Sequence, residues 1–195
     1  ICGSAALGYA TRLLQPRAVV LHGMAAENGK SQFLNLARGL LPPSAICSVP
    51  ASQMGDDRHV LGLVGKLLNA SDELSAEAIA SDAFKAVVTG DPAQGRDVYK
   101  SRDEFRSVAQ NLFATNTLPS FKGGVDRGVQ RRLMVIPFTR TIPIPERIAD
   151  IGKRIASDEA DLLLAWAVHG AARLIRQRNF AIPESCHRAL LDWVL

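Results

Sequence analysis

The chain has 195 residues, 47% of them hydrophobic and 22% charged, with a formal net charge of +4. This is the composition of a folded globular protein with room for a sizeable core, and it excludes a disordered or low-complexity chain. A pI near 9.2 permits a nucleic-acid partner but comes without the run of like charge that a basic tail would show.

Residues 3–14 carry Ala6, Leu7, Ala10, Leu13 and Leu14 at helical intervals and predict a helix closed by Pro16. The apolar run from Arg17 to His22 predicts a first strand. It breaks at Gly23, crosses a loop to Gly29-Lys30-Ser31, and is followed by Phe33, Leu34, Leu36 and Leu40 at helical spacing. Strand, phosphate loop and helix follow in order. Gly23 and Gly29 let backbone N–H groups turn toward a triphosphate, Lys30 reaches its β and γ phosphates, and Ser31 completes the shell of a Mg²⁺ ion. Glu27, Asn28 and Gln32 complete the candidate ATP-binding set. Five residues lie between Gly23 and Gly29, where the usual spacing has four.

Gly39 and Pro42-Pro43 mark a break before a short second strand over residues 45–49, and residues 56–64 predict a helix with Val60, Leu61 and Val64 on one face. Residues 66–71 predict a third strand that delivers Asp72 and Glu73 at its C-terminal end, the edge where open α/β sheets bind ligands. Ser75 is expected to cap a helix over residues 77–88, closed by Thr89-Gly90-Asp91-Pro92. The charge-rich residues 94–105 predict an exposed hairpin or loop. A fourth strand over residues 109–115 ends at Asn116, and a fifth over residues 133–138 follows Arg131-Arg132. Beyond Pro145 the pattern is helical: Ile148, Ile151 and Ile155 share a face, residues 162–175 form a strongly apolar helix, and a partial helix reaches Leu195. Trp166 and Trp193 are expected in the core. Alternating strands and helices predict an α/β fold with a mostly parallel five-stranded sheet and helices on both faces, residues 1–140 forming a P-loop core and 141–195 a helical segment.

Cys2, Cys47 and Cys186 lack metal-ligand spacing and cannot all pair, which points to a reducing cytoplasm. No apolar run approaches a membrane span, so no membrane partner is expected. The chain opens mid-pattern at Ile1-Cys2 without Met, as a piece of a longer protein does. His22, His59 and His169 show no metal spacing, and the adjacent Ser185-Cys186-His187 do not make a nucleophile and base.

An ATPase needs one carboxylate on the Mg²⁺ shell and a second to polarise the attacking water. Asp72 and Glu73 offer both, although acids opening a helix also favour its dipole. Asn116, at a strand end, is placed to bond the water or a γ-phosphate oxygen; Asn-Thr-Leu-Pro also reads as ordinary turn chemistry.

Taken in order, Asn28-Gly29-Lys30-Ser31, Asn69-Ala70-Ser71-Asp72-Glu73-Leu74, Phe84-Lys85 with Thr89-Gly90-Asp91, Ala114-Thr115-Asn116-Thr117-Leu118-Pro119 and Arg131-Arg132-Leu133-Met134-Val135-Ile136-Pro137-Phe138 resemble the motifs of superfamily 3 helicases. The branch is that of phage and plasmid primase-helicases, similar to the poxvirus type. Trp166-Ala167-Val168-His169-Gly170 and Pro183-Glu184-Ser185 resemble the helical segment after the motor. The resemblance implies an AAA+ ATPase and DNA helicase that hydrolyses ATP with Mg²⁺ between subunits of a hexameric ring on single-stranded or forked DNA. The setting it implies is the cytoplasm of a bacterium or phage-infected host, with a primase domain upstream in the same chain. It assigns Lys30 and Ser31 to the phosphates and metal, Asp72 to Mg²⁺, Glu73 as the base, Asn116 as a sensor, and either Arg131 or Arg132 as an arginine finger from the neighbouring subunit.

It further implies that the segment between the acids and Asn116 is a hairpin in the ring channel. Lys85 would link the site to that hairpin and Lys100 would sit at its tip. Arg96, Tyr99 and Arg102 are further candidate DNA contacts, with Tyr99 suited to stacking on a base. Asp97, Asp103 and Glu104 offset these cations, and a solvated loop is the competing reading. Thr89 stands where the family usually has the first of two glycines before Asp91. Two other functions fit the same motifs: an AAA+ loader or protein remodeller whose turnover ignores DNA, and a decayed ATPase serving as a DNA-binding or assembly module.

Overall fold

The computed structural model describes residues 1–72, 77–96 and 102–194. In chain order the elements are α1 (Cys2–Ala6), β1 (Ala18–His22), α2 (Lys30–Gly39), β2 (Ile46–Cys47), β3 (Leu68–Ser71), α3 (Ser81–Thr89), β4 (Pro92–Arg96), β5 (Arg102–Arg106), β6 (Gln110–Thr115), α4 (Arg127–Gln130), β7 (Leu133–Pro137), α5 (Ile151–Asp158), α6 (Ala160–Gln177) and α7 (Glu184–Val194). Five strands form one sheet in the order β2-β3-β6-β1-β7, and every pairing in it is parallel. The expected α/β fold is therefore present. β6 inserts between β1 and β3, with Val20 opposite Phe113 and Ala70 opposite Leu112. β4 and β5 make a separate antiparallel pair, the expected hairpin.

Helices cover both faces, which is why β1 and β7 read as apolar runs. Ala18, Val20 and Phe113 pack with Phe84, Val87 and Val88 of α3 and Val129 of α4, and Leu190 and Trp193 of α7 close over them. Phe121 bridges this layer, edge-on to Phe84 at 5.2 Å and tilted to Trp193 at 5.8 Å. On the other face Val19, Leu21, Leu112 and Ala114 pack with Cys2 and Ala5 of α1, Leu34 and Ala37 of α2 and Ala167 of α6. Asn69 interrupts β3 for a structural reason. It is fully buried; its amide bonds both the N–H and the C=O of Val49, at 2.7 and 3.0 Å, and Asn111 Oδ1 at 3.0 Å.

Several expectations are corrected. The helix predicted over residues 3–14 ends at Ala6, because Gly8 turns the chain at φ +58°. Residues 56–64 hold only a short 3-10 turn, Val60–Leu63: Asp56 accepts from the N–H groups of Arg58 and His59 at 2.8 and 3.0 Å, a local turn that competes with a helix. The helix predicted to start near residue 77 starts at Ser81. Ile79 is instead held extended against Phe121, donating to Ser120 O and accepting from Lys122 N at 2.9 Å each, and Ser75 lies outside the described residues. Trp166 is 54% exposed, because α6 turns Leu163, Ala167, Ala171 and Leu174 to the core and Trp166 falls beside that stripe. The second strand is shorter than expected. Among the described residues no helix is long and apolar enough to cross a membrane.

Candidate functional site

β1 hands the chain to the loop at Gly23, where any side chain would collide: a Cβ would stand 2.3 Å from Phe138 O and 2.4 Å from Asn28 Nδ2. The loop ends at Gly29, φ +90°, which serves as N-cap of α2 without a side-chain hydrogen bond to the helix. The first N–H groups of α2 are thus left uncapped by any side chain, the arrangement that favours an anion. Lys30 is 7% exposed. Its ammonium donates to Gly23 O and Asn28 Oδ1 at 2.9 Å and to Ala25 O at 3.3 Å. Burial holds its pKa below the ordinary lysine value. Asn28 Nδ2 donates in turn to Ala25 O and Phe138 O.

Because the strands are parallel, the residues after β1, β3 and β6 emerge at one edge of the sheet. They line a cleft of about 910 Å³ whose walls include Glu27, Lys30, Ser31, Asp72, Asn116 and Pro119. Asn116 stands at the tip of a Thr turn: Thr115 Oγ1 donates to Thr117 O at 2.5 Å and accepts from Thr117 N at 3.2 Å. It is exposed to the cleft. The turn reading of Asn116 holds, and the turn places the residue at the cleft. Asp72 is half exposed and forked by Arg38 of α2, at 3.0 and 3.3 Å, while Arg38 also donates to Ala70 O at 2.9 Å. Gln32 lines the cleft and accepts from Gly152 N of α5 at 3.1 Å.

The other predicted residues lie elsewhere. Arg131 and Arg132 precede β7, at the opposite end of the sheet: Arg132 O accepts from Ala18 N, where β1 begins, at 2.8 Å. They do not enter this chain's own cleft. Lys85 pairs with Asp82 at 3.1 Å and Asp126 at 3.2 Å, joining α3 to α4. Arg96 and Arg102 face each other in register at the described end of the hairpin. Glu73, Tyr99 and Lys100 fall outside the described residues. Among the described residues no cluster of three metal-ligating side chains occurs.

Three residues at the site escape a reading of the sequence. Arg38 holds the acid. Arg147 grips Glu27 with two bonds of 2.6 Å. His22, last in β1, lies beside the Asn116 backbone; burial, the largest cause, and the nearby Lys30 charge lower its pKa against the raising effect of that backbone. Each partner is remote in sequence, and only the third carried any local signal, as a histidine directly before the loop.

A model of a family described only as of unknown function matches residues 21–132, more than half of the chain. Two structures of the NrS-1 C-terminal region are similar to it, each with TM-score 0.65. Identities are 13% and 14%, over 98% and 100% of this chain and 46% and 47% of theirs. The chain thus spans about half the length of these structures, and at such identity the likeness is one of fold. A JCV helicase structure gives TM-score 0.46 at 12% identity, over 98% of this chain and 58% of that one, too low to bear on the fold. No curated protein matches the chain.

Proposed function

The chain belongs to that family, DUF5906, and we propose that this member is an ATP-hydrolysing motor acting on DNA, a helicase of the superfamily 3 type that its motifs resemble. The observation that carries the proposal is the convergence of the phosphate loop, Asp72 and Asn116 on one cleft. The residues fit MgATP. Uncapped N–H groups of α2 and the ammonium of Lys30 suit a triphosphate, and the hydroxyl of Ser31 with the carboxylate of Asp72 supplies the hard oxygens that Mg²⁺ takes. When bound, the metal would spread the charge that develops on the phosphoryl oxygens.

The chain's own residues supply the rest. Lys30 would exchange its carbonyl acceptors for phosphate oxygens. Asn116, presented by the Thr115 turn, would orient the attacking water, with Glu73 as its base. Arg38 fixes Asp72 at the strand end, where the acid would hold the metal. Arg131 or Arg132 would reach the cleft of a neighbouring copy in a ring, and the β4–β5 hairpin, through Arg96, Arg102, Tyr99 and Lys100, would carry the work to DNA phosphates. A primase domain elsewhere in the full-length protein belongs to the same reading.

Equilibrium binding of ATP, with and without Mg²⁺, tests the site. Lys30→Ala is expected to weaken binding at least about tenfold, since it removes a buried cation from the triphosphate. Asp72→Asn should bind ATP alone normally but lose the gain that Mg²⁺ brings. Unaltered affinity in Lys30→Ala would overturn the assignment.

A further inference from the structure

We propose that Arg147 is a built-in counter-charge of the phosphate loop: it neutralises Glu27, the acid that the lengthened loop carries to the edge of the anion site, and so sets affinity for a nucleoside triphosphate. The inference rests on the nucleotide-binding reading above. A loop that wraps phosphate works by presenting N–H groups and cations, so a carboxylate in it opposes its task. Glu27 is such a carboxylate, in the stretch that holds five residues instead of four, and it lines the cleft beside Lys30 and Ser31. Its φ is +60°, a conformation few residues other than glycine adopt.

The pair is held from both sides. Arg147 Nη1 and Nη2 each donate to one Glu27 oxygen at 2.6 Å. Ile142 ties the two backbones together: its N–H donates to Glu27 O at 3.0 Å, and its carbonyl accepts from Arg147 Nε at 2.8 Å. Phe138, first residue after β7, accepts from Asn28 Nδ2 at 3.2 Å and fills the space a Cβ at Gly23 would need. The segment after β7 therefore runs along the loop and delivers its arginine to the one acid there. Glu27 and Arg147 side chains are 55% and 34% exposed, so the pair contributes little to global stability. Its effect is felt in the charge that reaches the cleft. With Arg147 in place Lys30 acts unopposed; without it, Glu27 cancels much of the lysine field.

The test is a titration of a fluorescent ATP analogue with Mg²⁺ into wild-type protein, Arg147→Gln, Glu27→Gln and the double variant, with a melting curve for each. Arg147→Gln is expected to bind about tenfold more weakly while melting as wild type does. The double variant should return to within about threefold of wild type, because the acid and its counter-charge have gone together. Wild-type affinity in Arg147→Gln overturns the inference. So does a double variant as weak as Arg147→Gln, since the arginine would then touch the nucleotide itself. Should Arg147→Gln fail to fold, Glu27→Gln decides: removing the acid must hold or tighten binding, and weaker binding overturns the inference. A wild-type protein that binds no nucleotide defeats the nucleotide-binding reading, and that outcome is read from the wild-type titration alone.

Discussion

At the scale of single residues, Gly23 shows how little room the phosphate loop leaves. A methyl group at Gly23 would press on Phe138 O and Asn28 Nδ2 at once. Gly23→Ala is therefore expected to lower stability by about 2 kcal/mol and to impair ATP binding, measured by urea denaturation and by titration. Asn69→Ala strands the Val49 backbone groups that its amide now satisfies. A loss of about 2–4 kcal/mol is expected in the same denaturation experiment. Burial raises the pKa of all three thiols, that of Cys47 to about 11. The native protein should accordingly react slowly with a thiol reagent at pH 8 and rapidly once unfolded; fast labelling of the folded protein would contradict this. Lys30, Asp72 and Asn116 were legible because a local motif names each. Arg38 and Arg147 were not, because their partners stand 34 and 120 residues away and an ion pair at such separation leaves no local pattern.

At the scale of elements, the strands were the most legible part, since burial on both faces makes β1 and β7 apolar runs. β3 was readable despite Asn69 and Ser71, whose polarity serves side-chain bonding and not exposure. Helix limits were harder. Apolar periodicity continues through residues 7–14, but Gly8 ends the helix. Residues before Ser81 look helical, yet pairing with Phe121 claims Ile79 for an extended segment. α6 is apolar on more of its surface than the core uses, leaving Leu162, Trp166 and Val168 exposed, which no count of hydrophobic residues distinguishes from burial. The junction of α3 and α4 supports a pH prediction. Asp126 caps α4, accepting from Val129 N at 2.7 Å, and bonds Lys85. The Val129 N–H first, then Lys85, hold its pKa below the ordinary 3.8. A carboxyl so depressed adds stability above 3.8 that is lost as pH falls through the folded-state value. Asp126→Asn keeps the cap and removes the charge. Urea denaturation should find the variant less stable at pH 5, with the two proteins converging as pH falls below 3.8; a constant gap would contradict the linkage.

At the scale of the whole molecule, the parallel sheet separates two ends. The phosphate loop, Asp72 and Asn116 gather at the C-terminal edge of the strands, whereas Arg131 and Arg132 sit where β1 and β7 begin, a strand length away. A single copy thus holds the proposed ATP cleft at one end and its candidate arginine finger at the other. That separation is what an enzyme working between subunits requires, and it predicts that turnover per chain rises with protein concentration as assembly proceeds. Lys85 and Asp126 join α3, which leads into the β4–β5 hairpin, to α4, which leads into the arginine pair. This pair thus links the candidate finger to the hairpin proposed to meet DNA. Coupling of ATP hydrolysis to DNA is read by steady-state phosphate release with and without single-stranded DNA, beside Lys30→Ala. Turnover is expected to rise with DNA and to disappear in the variant. Turnover indifferent to DNA, or equal in Lys30→Ala, would contradict this expectation.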